Sequence, residues 1–197
     1  MDVRAEKEKL RQWAKGIRHS LDLEKVSKEV ENKILSLDTY KTSRNVMSYI
    51  AKDIEVSLDG LFQDKTKNWF LPSVETLPAL GEARSQSERH ATSLYVVPYT
   101  PGKTKLIKNQ FEVYEPEVVN GIFYDQLTKK VNLDLIFVPG LCFDKNGYRL
   151  GFGKGFYDSF LKLNTDSFRI GVCPEECFIN NLPVDKWDIK VDMVIQG

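Results

Sequence analysis

The chain has 197 residues, 42% of them hydrophobic and 28% charged, and its 28 basic and 28 acidic side chains cancel to a formal net charge of zero. That length supports one complete core, read as a single domain over 1–197. The lack of a basic field argues against a dedicated nucleic-acid binder. Three cysteines, at 142, 173 and 177, and two histidines, at 19 and 90, form neither a disulfide framework nor a zinc set. No run approaches the roughly 18 apolar residues that span a bilayer, and the start MDVRAEKEKL has no apolar signal core. A cytoplasmic monomer without membrane or nucleic-acid partners is the expectation.

Leu10, Trp13, Ala14, Ile17 and Leu21 recur at helical spacing, and Val26, Val30, Ile34 and Leu37 repeat the pattern in a second helix. VMSYI, 46–50, reads as a strand. Residues 53–65 are expected to enter a third helix, and 69–78 to form a strand or an extended run broken by prolines. The polar stretch 81–93 predicts a surface loop. Residues 94–100 read as a strand, 101–116 as a turn with a short extended piece, and 118–130 as weakly helical. LDLIFVPGLCF, 133–143, is nearly all apolar, as a strand covered on both faces of a parallel sheet must be. FYDSFLKL reads as a helix, and 169–174 and 191–196 as strands. This alternation predicts an α/β fold: one layered domain with a mostly parallel central sheet flanked by helices.

Between the apolar strand and that helix lies GYRLGFGKGFYDSFL, 147–161. Glycines at 151, 153 and 155 permit positive φ and close backbone approach. A loop there can aim several N–H groups and a helix N-terminus at one anion. Arg149 and Lys154 add charge. The order is G-x-G-x-G, which fits neither the dinucleotide fingerprint nor the P-loop. On these residues alone, a phosphate cradle and a plain glycine turn both stay open.

The block from Asp134 to Leu161 resembles the 5-formyltetrahydrofolate cyclo-ligase (5,10-methenyltetrahydrofolate synthetase) family. The matching residues are Asp134, Pro139, Gly140, Phe143, Asp144, Gly147, Arg149, Leu150, Gly151, Gly153, Lys154, Gly155, Tyr157 and Asp158, in the family's order. Lys7 and Arg11, Tyr49 and Glu55, Pro72 and Val74, Glu115 and Pro116, and Leu182, Pro183, Asp188, Val191 and Asp192 extend the likeness over most of the chain. Departures are Ser159 for the family's arginine, Cys177 for its glutamine, Trp187 for its histidine, and Glu112 and Val113 after Phe111 where the family often has glycine.

The resemblance implies ATP-dependent cyclisation of 5-formyltetrahydrofolate to 5,10-methenyltetrahydrofolate, with ADP and phosphate released and magnesium required. It implies ATP phosphates bound by Lys7 and Arg11 from one side, and by Arg149, Lys154 and the Gly151–Gly153–Gly155 backbone from the other. It gives Arg149, Lys154 and Tyr157 catalytic roles. Glu55, Phe156 and Tyr157 would hold the folate, and Asp158 and Asp192 the metal. Of Phe156 and Tyr157, one is expected to face the core and one the site. The departures leave a second reading, a non-catalytic or divergent folate or nucleotide binder on the same fold.

Overall fold

The computed structural model describes residues 2–78, 90–117 and 131–197. The expected helix at 118–130 and most of the expected loop at 81–93 lie outside these residues. Helix α1, Val3–His19, starts at an Asp2 cap whose carboxylate accepts the Arg4 N–H, and it ends with basic Arg18 and His19 in its last turn. Helix α2, Leu23–Ser36, repeats this with Asp22 accepting from the Lys25 N–H. A short α3, Asp38–Thr42, leads into β1, Asn45–Met47.

The central sheet has six strands in the order β11-β9-β6-β1-β2-β3. These are β11, Met193–Gln196; β9, Phe168–Cys173; β6, Leu135–Pro139; β1; β2, Asn68–Pro78; and β3, His90–Tyr99. All neighbours run parallel except β2 and β3. The mostly parallel α/β sheet expected from the sequence is therefore present. Leu135 to Val138 are wholly buried, as a central parallel strand requires.

Four expectations need correction. The 53–65 segment makes only a 3₁₀ turn over Asp59–Gln63, whose Gly60 N–H donates to the Glu31 carboxylate at 2.7 Å. The apolar run 133–143 is not one strand. It breaks at Gly140, after which β7, Cys142–Asp144, joins a second sheet with β8, Arg149–Leu150, and β10, Phe178–Ile179. Arg18, only 1% exposed, holds that break through the Gly140 and Leu141 carbonyls and reaches Ile54 O as well. Strand β3 begins at His90, inside the expected loop. Finally, prolines do not interrupt β2. Pairing with β1 ends at Phe70, so Pro72, two residues further on, has no β1 carbonyl to satisfy.

The remaining hairpin pairs β4, Leu106–Lys108, with β5, Tyr114–Pro116. Helix α4, Phe156–Leu163, has the bounds read from the sequence. The chain runs from β1 to β2 on one side and later to β6 on the other. The segments leaving β1 and β6 therefore part at their carboxyl ends, which is where open α/β sheets bind ligands.

Candidate active site

A cleft of about 540 Å³ opens at this point. Tyr49, Ile50, Lys52 and Glu55 enter it from the segment after β1, and Pro72 and Val74 from β2. Phe111 comes from the β4–β5 hairpin, and residues 149–158 form the opposite wall. Lys7 and Arg11 from α1 and Asp185, Trp187 and Asp188 from the C-terminal segment complete the rim.

Two of the three loop glycines adopt the positive φ that the sequence allowed, and Gly151 does not. Gly153 and Gly155 have φ of 93° and 72°, which side-chain-bearing residues rarely adopt. Gly155 is the N-cap of α4, so the first free amides of that helix face the loop. Lys154 between them is exposed, with its ammonium 5.7 Å from the Phe111 ring centroid.

Arg11 reaches this loop directly. Its Nε donates to Gly151 O at 2.9 Å, and a Cβ on Gly153 would lie 3.2 Å from its guanidinium. Arg11 and the loop thus make one wall, not two facing sides as expected. Lys7, one turn earlier on the same helix face, pairs with Asp188 Oδ2 at 2.5 Å. Arg149 stands beside the loop, as expected, but it is engaged by a carboxylate. Its side chain is 7% exposed and pairs with Asp158 at 2.9 Å, while its guanidinium carbon lies 5.3 Å from the Tyr157 ring centroid. Its guanidinium flanks the buried end of the loop, where a Cβ on Gly151 would lie 3.1 Å from Nη1.

At that buried end stand three groups with spare hydrogen-bonding capacity, Glu55, Tyr157 and Arg149, whose Nε has no partner among the described residues. Glu55 Oε2 accepts the Lys52 N–H at 2.9 Å, while Oε1 receives no donor among the described residues. Burial raises the Glu55 carboxyl above its ordinary range, against the opposing pull of the Lys52 amide, Lys52, Arg18 and Arg149. The Tyr157 hydroxyl is buried and has no partner among the described residues. Burial first, then the Glu55 charge, pushes it well above the ordinary phenol range, so at neutral pH it carries a proton to donate.

Phe156 and Tyr157 both line the cleft, so the expected division between core and site is softer than drawn. Phe156 stacks on Phe111 at 5.4 Å, while Tyr157 also packs against the core that contains Leu141 and Leu161. Phe152 adds a third aromatic ring, with the Lys52 ammonium 5.1 Å above it.

The two carboxylates expected to hold a metal are not gathered. Asp158 lines the cleft, with Oδ2 on Arg149 and Oδ1 accepting the Ile189 N–H at 3.3 Å. Asp192 is not among the lining residues, and its Oδ2 accepts the Arg169 N–H at 2.8 Å at the start of β9. Among the described residues no three His, Cys, Asp or Glu side chains cluster as a metal cage. Magnesium bound largely by phosphate oxygens and water needs only one or two carboxylates, and of the expected pair only Asp158 lines the cleft. The three cysteines are free and buried.

Sequence reasoning missed Lys52, Phe152, Trp187 and Asp188 as cleft residues. Phe152 had a signal, since it stands between two of the loop glycines. Lys52 and Trp187 reach the cleft only through the path of their loops.

The switch-point cleft of this mostly parallel α/β protein has a glycine loop on one wall and a buried carboxylate on the other. The sequence profile of the 5-formyltetrahydrofolate cyclo-ligase family matches residues 3–197, and the chain belongs to that family. It is similar to the 5-formyltetrahydrofolate cyclo-ligase of Haemophilus influenzae, 27% identical over 183 residues that cover 90% of this chain and 89% of the relative. It is also 27% identical to the Mus musculus 5-formyltetrahydrofolate cyclo-ligase, covering 83% of this chain and 78% of that one. The NMR structure of Aquifex aeolicus 5,10-methenyltetrahydrofolate synthetase superposes with a TM-score of 0.71 at 33% identity, covering 96% of this chain and 89% of that one. The chain is thus a member of a ligase family that acts on folate in one-carbon metabolism.

Proposed function

We propose that the protein closes 5-formyltetrahydrofolate to 5,10-methenyltetrahydrofolate while converting ATP to ADP and phosphate. One observation carries this reading. The unengaged Glu55 oxygen and the unpartnered Tyr157 hydroxyl share a cleft with the glycine loop and its exposed Lys154.

The formyl group on N5 is amide-like, and its oxygen leaves poorly. In the proposed reaction that oxygen takes the terminal phosphoryl group of ATP and ADP departs. N10 then attacks the formyl carbon, and the former formyl oxygen leaves as phosphate together with the N10 proton. The protein's task is to hold two substrates in line and offset developing charge.

Glu55 suits the donor-rich edge of a pterin ring, because donors from the ligand restore the ionised form that burial disfavours. The Tyr157 hydroxyl donates toward the formyl oxygen, and Arg149 keeps the ring in place from its Asp158 anchor. Phe111, Phe152 and Phe156 keep water from the activated carbon. Lys154 and the loop amides receive phosphate oxygens, with Lys7 and Arg11 adding charge behind them. Magnesium, when bound beside Asp158, would neutralise phosphate charge during transfer. The protein is taken to act as a cytoplasmic monomer. Among the described residues no helix is long and apolar enough to cross a membrane.

A pair of titrations tests this map, one with 5-formyltetrahydrofolate and one with a non-hydrolysable ATP analogue. Lys154→Ala should weaken the analogue tenfold or more, since a charge-assisted contact is worth roughly 1.5–3 kcal/mol, and leave folate binding unchanged. Glu55→Gln should do the reverse by a similar factor. Interchanged effects would reverse the site, and no binding of either ligand would remove the proposal.

A further inference from the structure

Trp187 is 63% exposed, among the most exposed large apolar side chains of the described residues, and it stands on the rim of the same cleft. Its position is fixed by a small turn. The Asp188 N–H donates to Asp185 O at 3.1 Å, and the Asp185 N–H returns to Asp188 Oδ2 at 2.7 Å. The same Asp188 oxygen accepts the Lys7 ammonium. The turn that presents the indole is therefore tied to the helix face that carries Lys7 and Arg11. The Lys186 ammonium lies 4.5 Å from the indole centroid, which accounts for one face of the ring. The other described contacts of the turn are made by its backbone and carboxylates.

A large exposed indole on the rim of a cleft offers a flat face on which an aromatic ring can stack. The chemistry next to it selects the cover. Lys7, Arg11 and Lys154 form a cationic wall on the same rim, and a flat aromatic base joined to a phosphate chain meets both surfaces at once. Phe111, Phe152 and Phe156 also line the cleft, and Trp187 is the most exposed of its aromatic rings. We infer that Trp187 is the stacking platform for the purine base of the nucleoside triphosphate, with Lys186 on the indole's opposite face. This makes Trp187 a nucleotide-specificity residue of this chain, and the inference rests on the reading that the glycine loop receives ATP phosphates.

The test compares wild type, Trp187→Ala and Trp187→Phe in calorimetric titrations with three probes. These are a non-hydrolysable ATP analogue, inorganic tripolyphosphate and 5-formyltetrahydrofolate. Trp187→Ala should weaken the ATP analogue by roughly tenfold, within the range of one base–aromatic stack, and Trp187→Phe should recover most of the loss. Tripolyphosphate and the folate should bind all three proteins alike. Unchanged analogue affinity in Trp187→Ala overturns the inference and leaves the proposed function standing. Equal loss for analogue and tripolyphosphate overturns it in favour of a role in holding the turn, and loss for the folate alone reassigns the platform to the folate. A wild type that binds no analogue overturns both the inference and the reading beneath it.

Discussion

Arg149 Nη2 and Asp158 Oδ2 lie 2.9 Å apart, with side chains only 7% and 21% exposed. The pair ties β8 to the first turn of α4 across the glycine loop, so it fixes the two ends of the loop against each other. Asp158→Asn removes the countercharge and leaves the guanidinium poorly partnered in a desolvated place. A fully buried pair broken this way costs 3–5 kcal/mol. Here part of Asp158 meets solvent and asparagine still accepts a hydrogen bond, so a loss of about 2 kcal/mol is expected. Urea denaturation reads it directly. Asp158→Asn should also raise the magnesium concentration needed for half-maximal turnover. Wild-type stability with an unchanged magnesium requirement would remove both roles from Asp158.

Gly153→Ala tests the wall shared by the loop and α1. The new Cβ would meet the Arg11 guanidinium at 3.2 Å, and φ of 93° is strained for alanine. Strain of this kind costs on the order of 1–2 kcal/mol. Gly155→Ala is the control, because its φ is also positive, at 72°, yet nothing lies within 4 Å of the added atom. Both variants should lose stability and some nucleotide affinity, and Gly153→Ala should lose more affinity, because only its added atom meets Arg11. Equal effects of the two on nucleotide binding would show that Arg11 plays no part.

The Glu55 carboxyl gives a dependence on pH with a definite sign. Burial raises its pKa in the folded state above the unfolded value near 4.5. The folded state therefore binds this proton more tightly than the unfolded state does. The associated stability is present at low pH and is lost as pH rises through the raised folded value. Glu55→Gln keeps the size and carries no charge to desolvate. In the absence of ligands it should match wild type below pH 4 and become progressively more stable than wild type above it. Thermal unfolding of both proteins across pH 4 to 8 measures this. A constant difference across that range would mean that Glu55 is not desolvated as the fold places it.

The sequence made the sheet legible because buried parallel strands are apolar on both faces, as in 135–138, and because helices α1, α2 and α4 keep a clear 3.6-residue period. It misread 133–143 because apolarity does not reveal a change of sheet. Gly140 and the buried Arg18 make that change, and Arg18 looks like an ordinary last-turn cation in the sequence. The site was legible where chemistry is local, in the glycine loop and Lys154. Partnerships formed across the chain were not legible: Arg149 with Asp158, Lys7 with Asp188, and Arg11 with the Gly151 carbonyl depend on tertiary approach. Asp192 shows the same limit, since its spacing in the sequence carries no sign that it accepts the Arg169 N–H.

Turnover under omission tests the central claim most directly. Purified protein is mixed with 5-formyltetrahydrofolate, ATP and magnesium, and the near-ultraviolet absorbance of the methenyl product is followed alongside phosphate release. One phosphate should be released per product formed, with no product when ATP, magnesium or the folate is left out. Product formation without ATP, or folate and ATP analogue both bound with no turnover in the complete mixture, would contradict it.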